Sequence, residues 1–434
     1  MAPQRCDVAV IGGGFAGLAA AREATHLGHS VTVVEASERL GGRTWTDDGL
    51  GTRVELGGTD IHWLQPNAWA EVARYGLQIE EFPPPERVLY LHDAAIHEGT
   101  LEEVGALMEK AMTALSKVSR EVVPRPQDAG WEPRILDYDR LTLGAFLDEL
   151  ALQPLERDVT TSFWSAACQA PLEEVGMVLA LRWLALAGWD WEVMLDVISR
   201  YKLVGGMGRL STAIAAESHA AFAMNARVAA VRSNGDGVEV ITEDGAPILA
   251  RAVVCAVPLN VLNGIRFDPG LPGGLAELAG EGQLSRGLKV VCRIKGDRAP
   301  YVCLAPEGAP FVWMQYDRPV DGDHIAVAFG ADARAVDGSS PGAVQVALRQ
   351  WLPDVEVVDV AYHDWTRDEH FKGTWAVPRP GQLSRQVRVI AEQAGPVFFA
   401  GADLAPGAYG LIDGALATGI RAGRSAAAFL GAQR

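Results

Sequence analysis

Residues 7–17, Asp7-Val8-Ala9-Val10-Ile11-Gly12-Gly13-Gly14-Phe15-Ala16-Gly17, decide the fold of this chain. Asp7 to Ile11 is a short apolar run of strand type that enters a glycine turn fitting G-x-G-x-x-G. Leu18 to Leu27 has helical composition and stops at Gly28, and a second strand, Ser30 to Val34, ends in Glu35. Each part has a task in dinucleotide binding. Gly12 makes the tight turn, Gly14 lets backbone approach a pyrophosphate, and Gly17 lets helix and strand pack closely. Phe15 and Ala16 lie where the helix begins, and amides at a helix N-terminus face phosphate charge. Glu35, 18 residues beyond Gly17 and followed by Ala36, is placed to accept hydrogen bonds from a ribose diol. A carboxylate there favours a ribose without a 2′-phosphate, hence FAD or NAD rather than NADP.

Composition narrows the remaining classes. A chain of 434 residues exceeds one ordinary core and predicts two domains or one heavily elaborated one. Hydrophobic residues at 49%, charged residues at 21% and 12 tryptophans exclude a disordered chain, a collagen-like repeat and a coiled coil. Acidic residues outnumber basic ones 55 to 38, a formal charge of −17. No basic stripe is present to neutralise phosphates, so neither nucleic acid nor an anionic membrane surface is expected as a partner. The five cysteines (Cys6, Cys168, Cys255, Cys292, Cys303) are scattered and odd in number. They argue against a disulfide framework or a metal site and fit a reducing compartment. The most apolar long stretch, Val175 to Trp191, is interrupted by Arg182 and Asp190 and falls short of the ~20 residues of a bilayer span. With neither a signal peptide nor an anchor in view, the expectation is a soluble cytoplasmic protein.

The segment after the second strand separates FAD from NAD. In Glu38-Arg39-Leu40-Gly41-Gly42-Arg43-Thr44 the glycines bring backbone close to a ligand, and Arg39 and Arg43 can fork onto phosphate oxygens. The run Val33 to Thr44 (VVEASERLGGRT), with Glu55-Leu56-Gly57-Gly58, resembles the flavin-containing amine oxidases of the monoamine oxidase family. That resemblance implies FAD and covers nearly the whole chain. Phe398-Phe399-Ala400-Gly401-Ala402-Asp403 and Ile412-Asp413-Gly414-Ala415 match the family's second FAD-contacting motif. By resemblance, Gly57, Gly58 and Thr59 run alongside the flavin, and Gly401 and Asp403 approach its ribityl or pyrophosphate region. Leu411, Ile412 and Ala415 stand at the flavin, the Ile412 amide stabilising charge at its N1–C2 edge. Val228 would contact adenine through its backbone. His62-Trp63 with Gln65-Pro66, Tyr362 to Trp365 (YHDW) and Trp375 to Arg385 (WAVPRPGQLSR) further resemble 6-hydroxynicotine oxidases and related nicotine-pathway amine oxidases.

The fold expected is α/β: a Rossmann-like, doubly wound FAD-binding domain with a β-meander, plus an α+β substrate domain with a mixed sheet and a helical insertion. Pro83-Pro84-Pro85 and Pro124 to Pro133 read as loops, with helical patterns at Leu101–Ser119, Leu143–Leu150 and Leu172–Leu186. Glu80 to Tyr201 is therefore assigned mainly to the helical insertion. Gly205 to Leu210 opens another helix, and Arg227 to Ala256 reads as a meander broken at Asn234-Gly235 and Asp244-Gly245. Leu288–Ile294, Phe311–Tyr316, His324–Phe329 and Val355–Trp365 look like strands of the second sheet, with a helix at Gly342–Leu352. Strand Pro396–Ala400 and helix Asp413–Leu430 end the chain. The FAD-binding domain would comprise 1–79, 202–286 and 376–434, and the substrate domain 80–201 and 287–375.

Amine oxidation by a flavin asks the protein to hold a C–H bond over flavin N5, exclude water and favour neutral amine. Lys289 sits in an otherwise apolar strand, where a lysine is costly to bury without a partner. It matches the family lysine that holds a water at flavin N5 and aids reoxidation by oxygen. Trp375 follows Gly373-Thr374, where the family has the first wall of an aromatic cage over the flavin. Thr374 replaces the cysteine that bonds covalently to flavin in some members, so non-covalent FAD is expected. Leu411 falls where an aromatic second wall usually stands, with Tyr409 nearby. Asp60 is a second departure: it reads either as a counter-ion for a cationic group on the substrate or as a partner for an arginine or loop amide. His62, Trp164, Trp313 and Gln315 are further pocket candidates, each also readable as core.

These features lead to an FAD-dependent amine oxidase acting on the C–N bond of a small secondary or cyclic amine. Hydride would pass to flavin N5, dioxygen would become hydrogen peroxide, and the imine would hydrolyse. Three alternatives stand beside it: a dehydrogenase passing electrons to a carrier protein, an amino-acid oxidase with Arg182 as the candidate for the substrate carboxylate, and a flavin-binding protein without turnover. A homodimer is left open.

Overall fold

The computed structural model describes residues 4–432 except 234, 236, 246 and 392–394. Asn234 of the expected Asn234-Gly235 turn and the outermost residues at both chain ends thus lie outside the described residues.

Val8–Ile11 and Val31–Val34 are apolar throughout and buried throughout, as suits strands covered on both faces. Strand Gln4–Ile11 lies between Val31–Val34 and Ile248–Cys255 and runs parallel to both, with Val8 opposite Val31 and Ile11 opposite Cys255. Ala221–Ala223 extends the sheet beyond Val31–Val34. On the other side Ile248–Cys255, Val238–Thr242 and Val228–Ser233 form the antiparallel meander, edged by Arg266–Asp268. Val397–Phe399 adds an eighth strand, parallel to the last residues of Ile248–Cys255. The parallel strands therefore end together, at Ile11, Val34, Cys255 and Phe399. In open α/β sheets ligands bind beyond that edge.

Two helices cover this sheet with their backbones in near contact. A Cβ on Gly17 would stand 1.9 Å from the Gly12 carbonyl oxygen, which is the close strand–helix packing expected of the third motif glycine. Helix Ile412–Ala432 packs along helix Phe15–His26 in the same manner. A Cβ on Gly419 would lie 2.1 Å from the Ala16 carbonyl oxygen, and one on Gly423 2.5 Å from that of Ala20. Buried Arg22 forks onto Glu71 at 2.5 and 2.6 Å, fastening helix Pro66–Arg74 to the same layer.

The second sheet has seven strands in the order Val357–Tyr362, Leu288–Ile294, Asp323–Gly330, Trp313–Val320, Tyr301–Leu304, Arg87–His92 and Ala95–Gly99. It is mixed, because Tyr301–Leu304 and Arg87–His92 run parallel. Helices Leu101–Val122, Pro154–Cys168 and Val178–Leu186 pack beside it around Met112, Leu115 and Trp164.

Four expectations need correction. Residues 87–99 form a hairpin of the second sheet rather than part of a helical insertion. Its turn, Asp93-Ala94, takes positive φ at both positions (50° and 58°) without the glycine that signals such turns. Strand Tyr301–Leu304 was not expected. Nor was helix Pro154–Cys168, whose threonines and serines lower helix propensity; Pro154 in its first turn and a Gln153/Glu156 capping box hold it. The helix expected from Leu172 begins only at Val178, because the Gly176 amide is bonded to the Pro378 carbonyl. No helix among the described residues is long and apolar enough to cross a membrane.

The glycine seam makes a direct prediction. Gly419→Ala should lower stability by about 1–3 kcal/mol, as overpacking does. Gly431→Ala, where an added methyl meets nothing within 4 Å, should not. Chemical denaturation of the two variants checks both.

Candidate active site

The four strand ends open onto a cleft with about 1460 Å³ of space, its mouth included. Its floor is built from residues without side chains. Gly14 bridges to Gly41, and a Cβ on Gly42 would stand 3.1 Å from the Gly14 Cα. Gly57 and Gly58 continue the wall. Gly14 caps helix Phe15–His26 with no side-chain hydrogen bond, so the first amides of that helix stay available to an anion at the cleft. Glu35 is already oriented: one carboxylate oxygen accepts from the Gly13 amide (2.5 Å) and the other from the Ser37 amide and hydroxyl (both 2.8 Å). Ala36, Val228, Ile412 and Ala415 also line the cleft. This cradle of bare backbone with a buried carboxylate at its second strand fits the FAD expected from the sequence.

The two arginines separate. Arg43 lines the cleft and forks onto Asp403, with Nη2 2.5 Å from Oδ2 and Nη1 3.2 Å from Oδ1, while Nη1 also donates to the Thr374 carbonyl. Three distant parts of the chain meet there. Arg39 corrects the expectation of a second phosphate fork. Its guanidinium lies 4.4 Å from the Trp45 ring centre and donates to the Thr44 carbonyl, outside the cleft wall.

Lys289, Trp375, Leu411, Thr374 and Gln169 also line the cleft, with Lys289 and Trp375 both beside Phe329. Lys289 is 7% exposed, and its ammonium donates to the Gly57 carbonyl (2.8 Å) and the Thr59 hydroxyl (2.7 Å). Burial lowers its pKa, and Asp60, Glu55 and Asp317 pull the other way. The Trp375 indole is braced by donation to the Ala167 carbonyl (2.9 Å) and by an edge contact with Phe329. Thr374 donates to the Ser285 hydroxyl at 2.6 Å, and no cysteine lines the cleft among the described residues.

The remaining candidates disperse. Thr59, Asp60 and Gln315 line a second chamber, walled by many charged side chains and sharing Lys289 with the cleft, instead of the cleft itself. His62 is fully buried, bonded to Asp196 (3.0 Å) and to the Leu64 amide, and touches neither cavity. Trp164 is a core side chain of the helical layer against Phe163, which corrects its place in a substrate pocket. Trp313 lines neither cavity, and its indole donates to Gln315 (3.1 Å). Tyr409 is buried beneath the Arg182 guanidinium and supplies no second cage wall, so Leu411 stands without an aromatic substitute there. Arg182 itself is buried and spent on the Ala405 and Pro406 carbonyls and on Gln386, which removes the candidate carboxylate partner of an amino-acid oxidase.

A family model described as flavin containing amine oxidoreductase matches residues 15–426. This chain belongs to that family. It is 37% identical over 431 residues to a pseudooxynicotine dehydrogenase of a Pseudomonas species, covering 98% of this chain and 86% of the other. It is 30% identical over 418 residues to an (S)-6-hydroxynicotine oxidase of Paenarthrobacter nicotinovorans, covering 95% and 97%. The solved structure of a cyclohexylamine oxidase from Brevibacterium oxydans superposes with a TM-score of 0.83 over 98% of this chain and 99% of that one, at 23% identity, and shares the fold. As a flavin amine oxidoreductase the chain is an FAD-dependent enzyme acting on amines.

Several cleft residues were not anticipated. Gln169 ends helix Pro154–Cys168 in the left-handed region (φ 47°) and donates to the Leu288 carbonyl, next to Lys289. Trp365, His370 and Phe371 come from the loop before Thr374, and no spacing pattern announces them. The YHDW run resembles a subfamily feature in the sequence, and the structure puts its Trp365 in the cleft wall.

Glu35→Ala frees the Gly13 and Ser37 donors and unfixes the turn. Losing hydrogen bonds to a charged acceptor costs about 1.5–3 kcal/mol, so FAD should bind roughly 10–100-fold more weakly. Titrating apoprotein into FAD and following flavin fluorescence measures this directly.

Proposed function

We propose that this enzyme oxidises the C–N bond of a small secondary or cyclic amine carried on a nicotine-like framework, with dioxygen as acceptor and hydrogen peroxide as product. The observation that supports the reading is that Lys289 and Trp375 both line the cleft and both lie beside Phe329, each held in place by a hydrogen bond to a backbone carbonyl. Bound FAD supplies the acceptor for the two electrons and the hydrogen that leave the carbon next to nitrogen. Trp375 and Leu411 offer apolar walls that exclude water and favour the neutral amine. Lys289, fastened by Gly57 and Thr59, holds a donor group in the same cleft. With Leu411 in place of an aromatic residue the amine is gripped from one side by an aromatic ring, which suits a bulky or ring-bearing substrate better than a slim alkylamine.

The relatives named for pseudooxynicotine and (S)-6-hydroxynicotine support the framework. A second reading, electron transfer to a carrier protein, is favoured by the word dehydrogenase in the name of the 37% identical relative. We also propose non-covalent FAD on the ground of Thr374, a cytoplasmic location, and a division into an FAD-binding unit (1–79, 202–286, 376–434) and a substrate unit (80–201, 287–375).

Anaerobic mixing with a panel of secondary and cyclic amines should bleach the yellow protein, and air should restore the colour. Bleaching with slow recovery would select the carrier-protein reading; no bleaching by any amine would overturn the substrate class. Acid precipitation should release the flavin into the supernatant. Lys289→Met should slow reoxidation at least about tenfold while leaving FAD content unchanged. Unaltered reoxidation would remove Lys289 from that step.

A further inference from the structure

Two cavities meet at one side chain. The flavin cleft and the polar chamber are walled by different residues except for Lys289, which lines both. The chamber holds about 630 Å³, its mouth included, and its wall includes Lys289, Asp60 and Gln315 together with exposed Arg53. Its wall is rich in charge, and nearly all of that charge is committed. Lys202 of strand Tyr201–Leu203 is bonded to Asp317. Arg318 pairs with Asp317 (3.0 Å) and with Glu80 (3.1 Å). Glu55 accepts from the Thr46 hydroxyl and the Met207 amide at Oε1, while its Oε2 is buried without a partner, and Arg53 pairs with Asp48 (2.8 Å).

Asp60 is different. Among the described residues no other residue hydrogen-bonds or ion-pairs with its carboxylate. Lys289, bonded only to neutral oxygens, is the strongest charge acting on Asp60, and Asp60 is the strongest charge acting on Lys289. With Lys289 charged, the pair carries no net negative charge whether Asp60 is ionised or protonated, so it offers nothing with which to hold a cationic substrate group.

Flavin turnover needs a proton route whichever acceptor is used. A hydride equivalent and one proton added to dioxygen make hydrogen peroxide, so one proton must enter. With a carrier protein, two electrons leave singly and the proton of the hydride equivalent must depart. The apolar walls Trp375 and Leu411 offer no such path.

We propose that the polar chamber is the proton route between solvent and the flavin edge, with Asp60 as the carboxyl that loads and unloads the proton and Lys289 as the group that passes it through the shared wall. This rests on the reading of the cleft as a flavin site, and on no particular amine or acceptor. Burial pushes the Asp60 carboxyl up to about 7 while Lys289 and Lys202 pull it down, so it exchanges protons near neutrality. It is protonated below that point and ionised above it.

The test uses holoenzyme reduced by light, which needs no amine, then mixed with dioxygen or with ferricyanide in a stopped-flow instrument. Asp60→Asn should keep its FAD, reoxidise at least about tenfold more slowly with one or both acceptors, and lack the pH dependence near 7 expected of the parent. Asp60→Ser, which leaves room for a water, serves if the first variant does not fold. The apoprotein gives an independent readout: its infrared spectrum should contain a carboxylic acid band that fades as pH rises through about 7 and is missing from Asp60→Asn. Parent-like rates and pH profile with both acceptors would overturn the proposal. So would a carboxyl that titrates in the ordinary range near ~4, or a variant whose only defect is weak amine binding. An apoprotein that takes up no FAD would sink the flavin reading instead, leaving the infrared titration as it was.

Discussion

Parallel strands that end at one edge set the terms for this molecule. Ile11, Val34, Cys255 and Phe399 deliver the chain to the same line, and residues just beyond them, Gly12, Glu35, Ala256 and Gly401, all become cleft wall. Because the strands come from remote parts of the sequence, the site is a junction between segments that have nothing else in common locally. The Arg43–Asp403 fork is the clearest case: two residues 360 positions apart share two hydrogen bonds. Such a site tolerates variation in the loops between the strands and little at the strand ends.

The sequence made this edge legible because its requirements are local. A glycine that must let helix touch strand, as Gly17 does, and a carboxylate that must end the second strand, as Glu35 does, leave their mark within thirty residues. The meander was legible for the same reason, since its alternation and turns are nearest-neighbour properties. Features set by tertiary contact were not. Asp93-Ala94 turns the chain without glycine, and Arg39 prefers an aromatic face to the cleft. His62 and Trp164 looked like pocket residues because polarity and aromaticity are shared by sites and cores, and only packing tells them apart. Gln169 reaches the cleft because its helix ends there, which no motif records.

Lys289 stands between the cleft and a chamber walled by charged side chains. Trp375 and Leu411 face one cavity, whereas Asp60, Asp317 and Lys202 face the other. A flavin enzyme benefits from both: electrons and hydrogen leave the substrate best where water is absent, while protons need a polar path. Placing a single side chain at the boundary lets the two requirements be met within one strand of the second sheet.

The glycine seam between helices Phe15–His26 and Ile412–Ala432 bears on how the protein comes into being. Synthesis runs from the N-terminus, so the dinucleotide motif leaves the ribosome long before its partner helix. Until Gly419 and Gly423 arrive, Ala16 and Ala20 have no covering surface, and the last wall of the cleft, Leu411 to Ala415, does not exist. The cleft therefore cannot close around a cofactor until helix Ile412–Ala432 has been made and has packed on helix Phe15–His26.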